Sequence, residues 1–394
     1  MARTNHAYRI GVEEEFFLAD ARTRGTPGRG VMAFHAAAKE RFDEAEHELL
    51  QSQIEVCTPP TDSVAVAGER LRALRSGLGA LARERGLLLF AAGTHPTARW
   101  RGQRETQADR YQGIMRDLRM IGQRSVVSGM HVHVEVARPE ARTDLKNRLL
   151  PFLPALLALS VSSPFWQGQR TGLCGYRLRA YAELPRTGLP ELFDDAADYE
   201  RYVRVMTGAG AIEDASFLWW HLRASIKFPT LELRVADACT RLDDALCIAA
   251  LFRCLVRLVE RDARVHARLT GASRGFVMEN LWRAERDGTR AELIDEAAER
   301  ARPLAEHVEA LLAATAEDAE ALGCRETCEH ARVIVAKGTS ADRQTAVFDR
   351  ALQAGASERE ALSAVVDALA EETAPGAGGA PEAPARRGRG RTRR

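Results

Sequence analysis

Short runs that alternate apolar and polar residues cluster in the first two-thirds of the chain, whereas beyond Asp243 apolar residues recur at helical spacing. The first run is Gly11-Val12-Glu13-Glu14-Glu15-Phe16-Phe17-Leu18. Side chains in a strand alternate between faces, so Glu13 and Glu15 share one face while Val12, Glu14 and Phe16 share the other. A second run, Glu48 to Cys57, is closed by Pro59-Pro60 and carries Gln51, Gln53 and Glu55 on one face. Simple alternation puts Glu48 on the opposite face unless a bulge intervenes. Within Val126 to Val136, the segment Met130 to Val136 has the strictest alternation in the sequence, with His131, His133 and Glu135 on one face and Met130, Val132 and Val134 on the other. Two further strands, Leu218 to Lys227 and Thr230 to Asp237, are predicted on either side of Phe228-Pro229, and the second places Glu232 and Arg234 on one face. Leu87 to Gly93 is wholly apolar and predicts a buried strand, whose end would present Thr94 or His95 to a pocket or to a surface loop.

Helices separate these strands. Asp62 or Ser63 can cap a long helix that turns Val64, Leu71, Leu74, Leu78 and Leu81 inward and ends at Gly86. Thr106 to Ile121 is helical through Tyr111, Ile114, Met115 and Leu118, and residues 143–161 predict a buried apolar helix. That helix is too short to span a bilayer and contains Pro151 and Pro154, so no membrane span is expected. Ala21 to Gly30 predicts a loop or hairpin connection placed to cover a site, and the region from Asp243 to about Glu372 is almost wholly helical, with a turn at Asp287-Gly288. No repeat period is present. Polar strands that each carry acids, histidine or arginine on one face, separated by helices, predict an α+β fold in which one sheet lines a concave site.

Composition adds boundaries. The chain has 394 residues, 45% of them hydrophobic and 28% charged, as expected of a globular protein. Its net charge of +1 hides an asymmetry, because residues 375–394 hold six Arg against one Glu, leaving the remainder mildly acidic. Residues 1–373 are expected to form one catalytic domain and residues 374–394 an Arg/Gly/Pro-rich disordered tail, able to attract acidic partners or nucleic acid without specificity. The polar N-terminus resembles no signal peptide, and seven cysteines without a CxxC pair fit reduced thiols, so a cytoplasmic location is expected. Cys247 and Cys254 fall on one helical face and read as core. Cys324, Cys328 and His330 sit in a helical segment and lack the fourth ligand of a structural zinc site.

The acidic strand faces carry the chemistry. Two like charges about 4 Å apart repel by roughly 4 kcal/mol at an effective dielectric near 20, so paired carboxylates on a covered face call for a cation, and hard divalent cations take such oxygens. The stretch Ser163 to Arg186, with Trp166, Arg170, Tyr176, Arg177 and Arg179, is dense in arginine and aromatics and is suited to gripping anions. Neither a Walker A loop nor a GxGxxG turn is present, so a nucleotide would be held by metal and arginine.

Four motifs in order resemble the carboxylate–amine ligases of the glutamate–cysteine ligase type 2 family. These are Gly-Val-Glu-Glu-Glu at 11–15, Gln-Ile-Glu-Val-Cys-Thr-Pro ending at Pro59, Gly-Met-His-Val-His at 129–133 and Thr-Leu-Glu-Leu-Arg at 230–234. The resemblance extends from about residue 7 to residue 370. It implies a glutamine-synthetase-like antiparallel sheet lining a concave active site, flanked by helices, with a helical C-terminal part and with ATP and Mg2+ or Mn2+ as cofactors. Glu13, Glu15, Glu55, His131 and Glu232 are then the expected metal ligands. Arg234 and Arg223 are the expected catalytic residues at the phosphates or the developing acyl phosphate. His133 is expected to line the site, and Arg170 and Arg179 to contribute to binding. Arg223-Ala224-Ser225 departs from the Arg-Pro-Ser common in that family, and Glu48 falls at an acidic position of related ligases. The implied activity joins an amino-acid carboxylate, glutamate by default, to an amine such as cysteine, with small molecules as partners and a homodimer among the expected states. A phosphotransferase on a related sheet and a non-enzymatic binding protein of the same fold remain alternatives.

Overall fold

The computed structural model describes residues 6–106 and 109–376; the side chains of Asp109, Arg110 and Tyr111 and the tail from 377 lie outside them. Its centre is a seven-stranded antiparallel sheet built around β1 (Ile10–Asp20). The other strands are β2 (Ala45–His47), β3 (Gln53–Cys57), β4 (Leu87–Phe90), β5 (Met130–Glu135), β6 (Leu222–Ala224) and β7 (Thr230–Leu233). Their order is β6-β7-β5-β1-β3-β2, and β4 lies beside β1. The length of β1 makes this arrangement work, because Ile10–Glu14 pair with β5, Phe17–Asp20 pair with β4 and Glu13–Phe17 pair with β3.

The apolar half of each alternating run builds the core. Val12, Phe16, Met130, Val132, Val134, Leu231 and Leu233 are buried in one cluster with the helices Val64–Arg83 and Leu242–Arg261. Ser63 caps the first of these helices by accepting from the amide of Val66, and its Leu71, Leu74, Leu78 and Leu81 are fully buried. Each such leucine contributes roughly 1.5–3 kcal/mol through removal from water. Glu14 shares this covered face and is neutralised by Arg75, which donates to both carboxylate oxygens at 2.8 and 2.5 Å and to the carbonyls of Thr240 and Cys239. The middle carboxylate of the opening motif is therefore part of the scaffold. On the other face, Phe17, Phe90 and Ala92 pack with Phe348, Leu362, Val365 and Leu369 of the helices Ser340–Gln353 and Glu358–Thr373. This closes the sheet at one end and leaves its acidic rows facing a cleft.

Several expected elements differ. Residues 143–161 form two helices, Arg142–Leu149 and Leu153–Ser160, separated by a 3-10 turn at Leu150–Phe152, because Pro151 and Pro154 lack the amides a continuous helix requires. The run from Glu48 to Cys57 is interrupted, and residues 48–52 turn between β2 and β3. The C-terminal region contains a hairpin, Glu292–Asp295 with Arg300–Pro303, after the Asp287-Gly288 turn. Gly288 adopts φ +57 there. Thr94 and His95 are buried: Thr94 donates to the carbonyl of Phe165, and His95 packs between Phe17 and Phe90. The loop at Ala21 to Gly30 borders a small hollow with Gln103 and Arg104, away from the acidic cleft.

Candidate active site

Strand register brings the polar residues together in rows across the exposed face. Arg223 of β6 lies opposite Glu232 of β7, which lies opposite His133 of β5. In the next row His131 lies opposite Glu13 and Glu13 opposite Cys57, and in the third Glu15 lies opposite Glu55. The cleft over these rows has a volume of about 390 Å³. Glu13 Oε2 is 3.1 Å from His131 Nδ1 and Glu13 Oε1 is 3.1 Å from His133 Nε2. Glu15 accepts from the amide of Gly129 at 2.6 Å. Glu232 is clasped from both sides: Arg234 donates to Oε1 at 2.5 Å, and Arg223 donates to Oε2 through Nε and Nη2 at 3.0 and 2.7 Å.

The electrostatics divide the carboxylates into two groups. Burial opposes ionisation of Glu13, but the bonds from His131 and His133 prevail and hold its pKa well below the usual range. Burial likewise opposes ionisation of Glu232, yet Arg234 and Arg223 lower it to about 2. Glu55 is pushed well above the usual range by burial and then by Glu48, Glu13 and Glu15, and Glu48 is pushed up to about 8 by burial and then by Glu15. His131 is lowered by burial and by the Arg234 charge. Burial and neighbouring carboxylates thus dominate the surroundings of Glu48 and Glu55.

A divalent cation suits this donor set. Ligand atoms of Glu13, His131 and Glu232 lie within 4.8 Å of one another, as do those of Glu15, Glu55 and His131. His131 Nε2 is buried, makes no hydrogen bond among the described residues and lies 3.6 Å from Glu15 Oε1. An unpartnered imidazole nitrogen beside crowded oxygens fits a metal ligand.

The structure brings Glu13, Glu15, Glu55, His131, His133, Glu232, Arg223 and Arg234 into the one cleft and adds Glu48. Glu48 reaches it because the chain turns between β2 and β3, which frees it from strand alternation. The expectation for Arg170 and Arg179 is corrected: Arg170 is paired with Asp349 and Arg179 with Glu285, and neither borders the cleft. Arg177 and Tyr181 border it instead. The local helix is Arg177–Tyr181, and spacing of four residues sets those two on one side while Arg179 faces elsewhere. That periodicity is visible in the sequence, but the brevity of the helix hides it. Arg177 donates to the carbonyl of Arg234 at 3.2 Å, and its guanidinium occupies the space over Gly129, where a Cβ would lie 2.1 Å from Nη2. The glycine that opens the histidine strand therefore makes room for an arginine.

The model of glutamate–cysteine ligase family 2 matches residues 9–368. A Rhodospirillum rubrum protein with the provisional name glutamate–cysteine ligase 2 is 45% identical over 375 residues, covering 93% of this chain and 96% of the relative. Among solved structures, a bifunctional glutathione synthetase from Pasteurella multocida superposes with a TM-score of 0.66 at 14% identity, covering 93% of this chain; this chain spans about half, 52%, of that protein. A glutamate–cysteine ligase from Francisella tularensis in complex with AMP gives a TM-score of 0.64 at 13% identity, covering 93% of this chain and 89% of the other. The fold is that of the glutamine-synthetase-like ligases. The chain belongs to glutamate–cysteine ligase family 2.

Proposed function

We propose that the chain is an ATP-dependent carboxylate–amine ligase that joins an amino-acid carboxylate, glutamate first among them, to an amine such as cysteine through an acyl phosphate, with release of ADP and phosphate. One observation carries the reading: Glu13, Glu15, Glu48, Glu55 and Glu232 meet His131, Arg223 and Arg234 in one cleft, in a chain of this family. The Francisella relative's complex with AMP supports an adenine nucleotide as the ligand class.

A carboxylate is a poor acyl donor until its oxygen is phosphorylated. In the proposed reaction the substrate carboxylate oxygen attacks the γ-phosphorus and ADP leaves; the amine nitrogen then attacks the acyl carbon and phosphate leaves. Glu13, Glu15, Glu55, His131 and Glu232, joined by Glu48, would hold Mg2+ or Mn2+, which neutralises phosphate charge when bound. Arg223 and Arg234 fix the Glu232 carboxylate, and among the described residues Arg234 Nε is a buried donor without a partner, available to charge that develops in the cleft. Arg177 Nε is a second such donor.

Purified protein given ATP, Mg2+ or Mn2+, glutamate and a panel of amines is expected to release ADP and phosphate only when both substrates are present. AMP with pyrophosphate would overturn the acyl-phosphate route. ADP with a stable phosphorylated product and no amine requirement would indicate a phosphotransferase, and absence of metal-dependent nucleotide binding by calorimetry a non-enzymatic protein. Glu55→Gln should raise the Mn2+ concentration needed for half-maximal turnover, whereas an unchanged Mn2+ curve would remove Glu55 from the ligand set.

A further inference from the structure

Away from the cleft, three thiols converge between the helices Leu242–Arg261 and Arg325–Lys337. Cys254 Sγ lies 3.5 Å from Cys324 Sγ and 3.8 Å from Cys328 Sγ, and all three sulfurs lie within 4.8 Å of one another. All three residues are buried, with exposures of 0%, 3% and 1%. Cys247 lies on the same helix as Cys254 but contacts the carbonyl of Cys328, so it stands outside the triad. His330, which neighbours two of the thiols in sequence, turns away and bonds Asp244 at 2.9 Å.

Arg253 sits beside this cluster and is 1% exposed. Its guanidinium donates to the carbonyls of Ala7, Tyr8, Asp62 and Leu322, and among the described residues no carboxylate forms an ion pair with it. As a buried cation next to Cys254 in sequence, it would offset part of the charge that thiolates carry when they hold a metal.

We propose that Cys254, Cys324 and Cys328 form a binding site for a soft, three-coordinate metal ion, with Cu(I) as its natural occupant. The donor chemistry selects the ion. Three sulfurs without oxygen or nitrogen exclude hard divalent cations, and the missing fourth ligand leaves a tetrahedral zinc site incomplete. Metal–thiolate bonds of about 2.3 Å in a trigonal plane place the sulfurs about 4 Å apart, close to the 3.5 and 3.8 Å from Cys254 and inside the 4.8 Å limit that holds for all three pairs. Binding forms three Cu–S bonds and sends the thiol protons to solvent, with no change in oxidation state, while Arg253 offsets part of the resulting negative charge. Cys324 directly follows the exposed Gly323, which turns at φ +63.

The test is anaerobic titration of the full chain with Cu(I) delivered from a colorimetric chelator complex, followed by X-ray absorption. One equivalent is expected to transfer and to show a sulfur-only shell of three ligands. Cys324→Ser and Cys328→Ser should each weaken binding by at least about 100-fold, while Cys247→Ala and Cys174→Ala bind as the parent does. Failure of the parent protein to take copper from the chelator, or nitrogen and oxygen in its first shell, would overturn the proposal whether or not the variants fold. Equal affinity in a folded Cys324→Ser would overturn it as well.

Discussion

In the metal-free protein Glu48 holds its proton to about 8, because burial first and the Glu15 charge second disfavour its anion. The unfolded chain releases the same proton near the ordinary value of about 4.5. The folded state therefore binds more protons across this interval, and the stability contributed by Glu48 falls as pH rises from about 4.5 to about 8 and is constant above that. At roughly 1.4 kcal/mol per pKa unit the full gap corresponds to a ceiling of about 5 kcal/mol. Water entering the cleft screens part of this, so we expect Glu48→Gln to stabilise the metal-free protein by about 2 kcal/mol at pH 8, or roughly 2–3 °C in Tm for a chain of this size. His95, His221 and His131 have lowered pKa values, and their contribution runs the other way, rising with pH up to about 6.5. The informative quantity is therefore the difference between variant and parent. Thermal melts in a chelator at pH 5.5, 7 and 8.5 should show that difference growing with pH, and saturating Mn2+ should shrink it by supplying the missing charge. Parallel curves for the two proteins from pH 5.5 to 8.5 would refute the reasoning, as would an Mn2+ response unaffected by the substitution.

Arg234→Ala removes the partner of Glu232 Oε1 and the free Nε donor; we expect kcat to fall about 100-fold with the Mn2+ requirement little changed, and steady-state kinetics showing only a higher Mn2+ requirement would reassign Arg234 to holding a ligand. Gly129→Ala puts a methyl group where Arg177 Nη2 lies, so kcat/KM should drop by at least about tenfold while circular dichroism is preserved; unaltered kinetics would leave Arg177 without a part in turnover. Arg75→Ala strands the buried Glu14 carboxylate and should cost about 3–5 kcal/mol in denaturant melts, much of it recovered in the Arg75→Met, Glu14→Leu double variant.

Alternation along single strands was enough to assign the faces of Glu13, Glu15, Glu55, His131, His133, Glu232 and Arg234, because a side-chain period of two is a local property of extended backbone and needs no knowledge of neighbours. The same locality explains the clean reading of the helix at Val64–Arg83, with its cap at Ser63 and its leucines at helical spacing. Which strands would pair, and in what register, depended on long-range contacts. His131 meets Glu13, and Glu232 meets His133, through hydrogen-bonded ladders between segments about one hundred residues apart. Where the backbone leaves regular structure, periodicity carries no information. Glu48 enters the cleft through a turn, Arg177 rather than Arg170 or Arg179 borders the cleft through a helix of five residues, and Glu14 is claimed by Arg75 from a separate helix. The thiol triad follows the same rule: Cys324 and Cys328 are neighbours in sequence, but Cys254 joins them only because two helices far apart in the chain pack face to face, and packing of that kind is set by the whole core rather than by any segment within it.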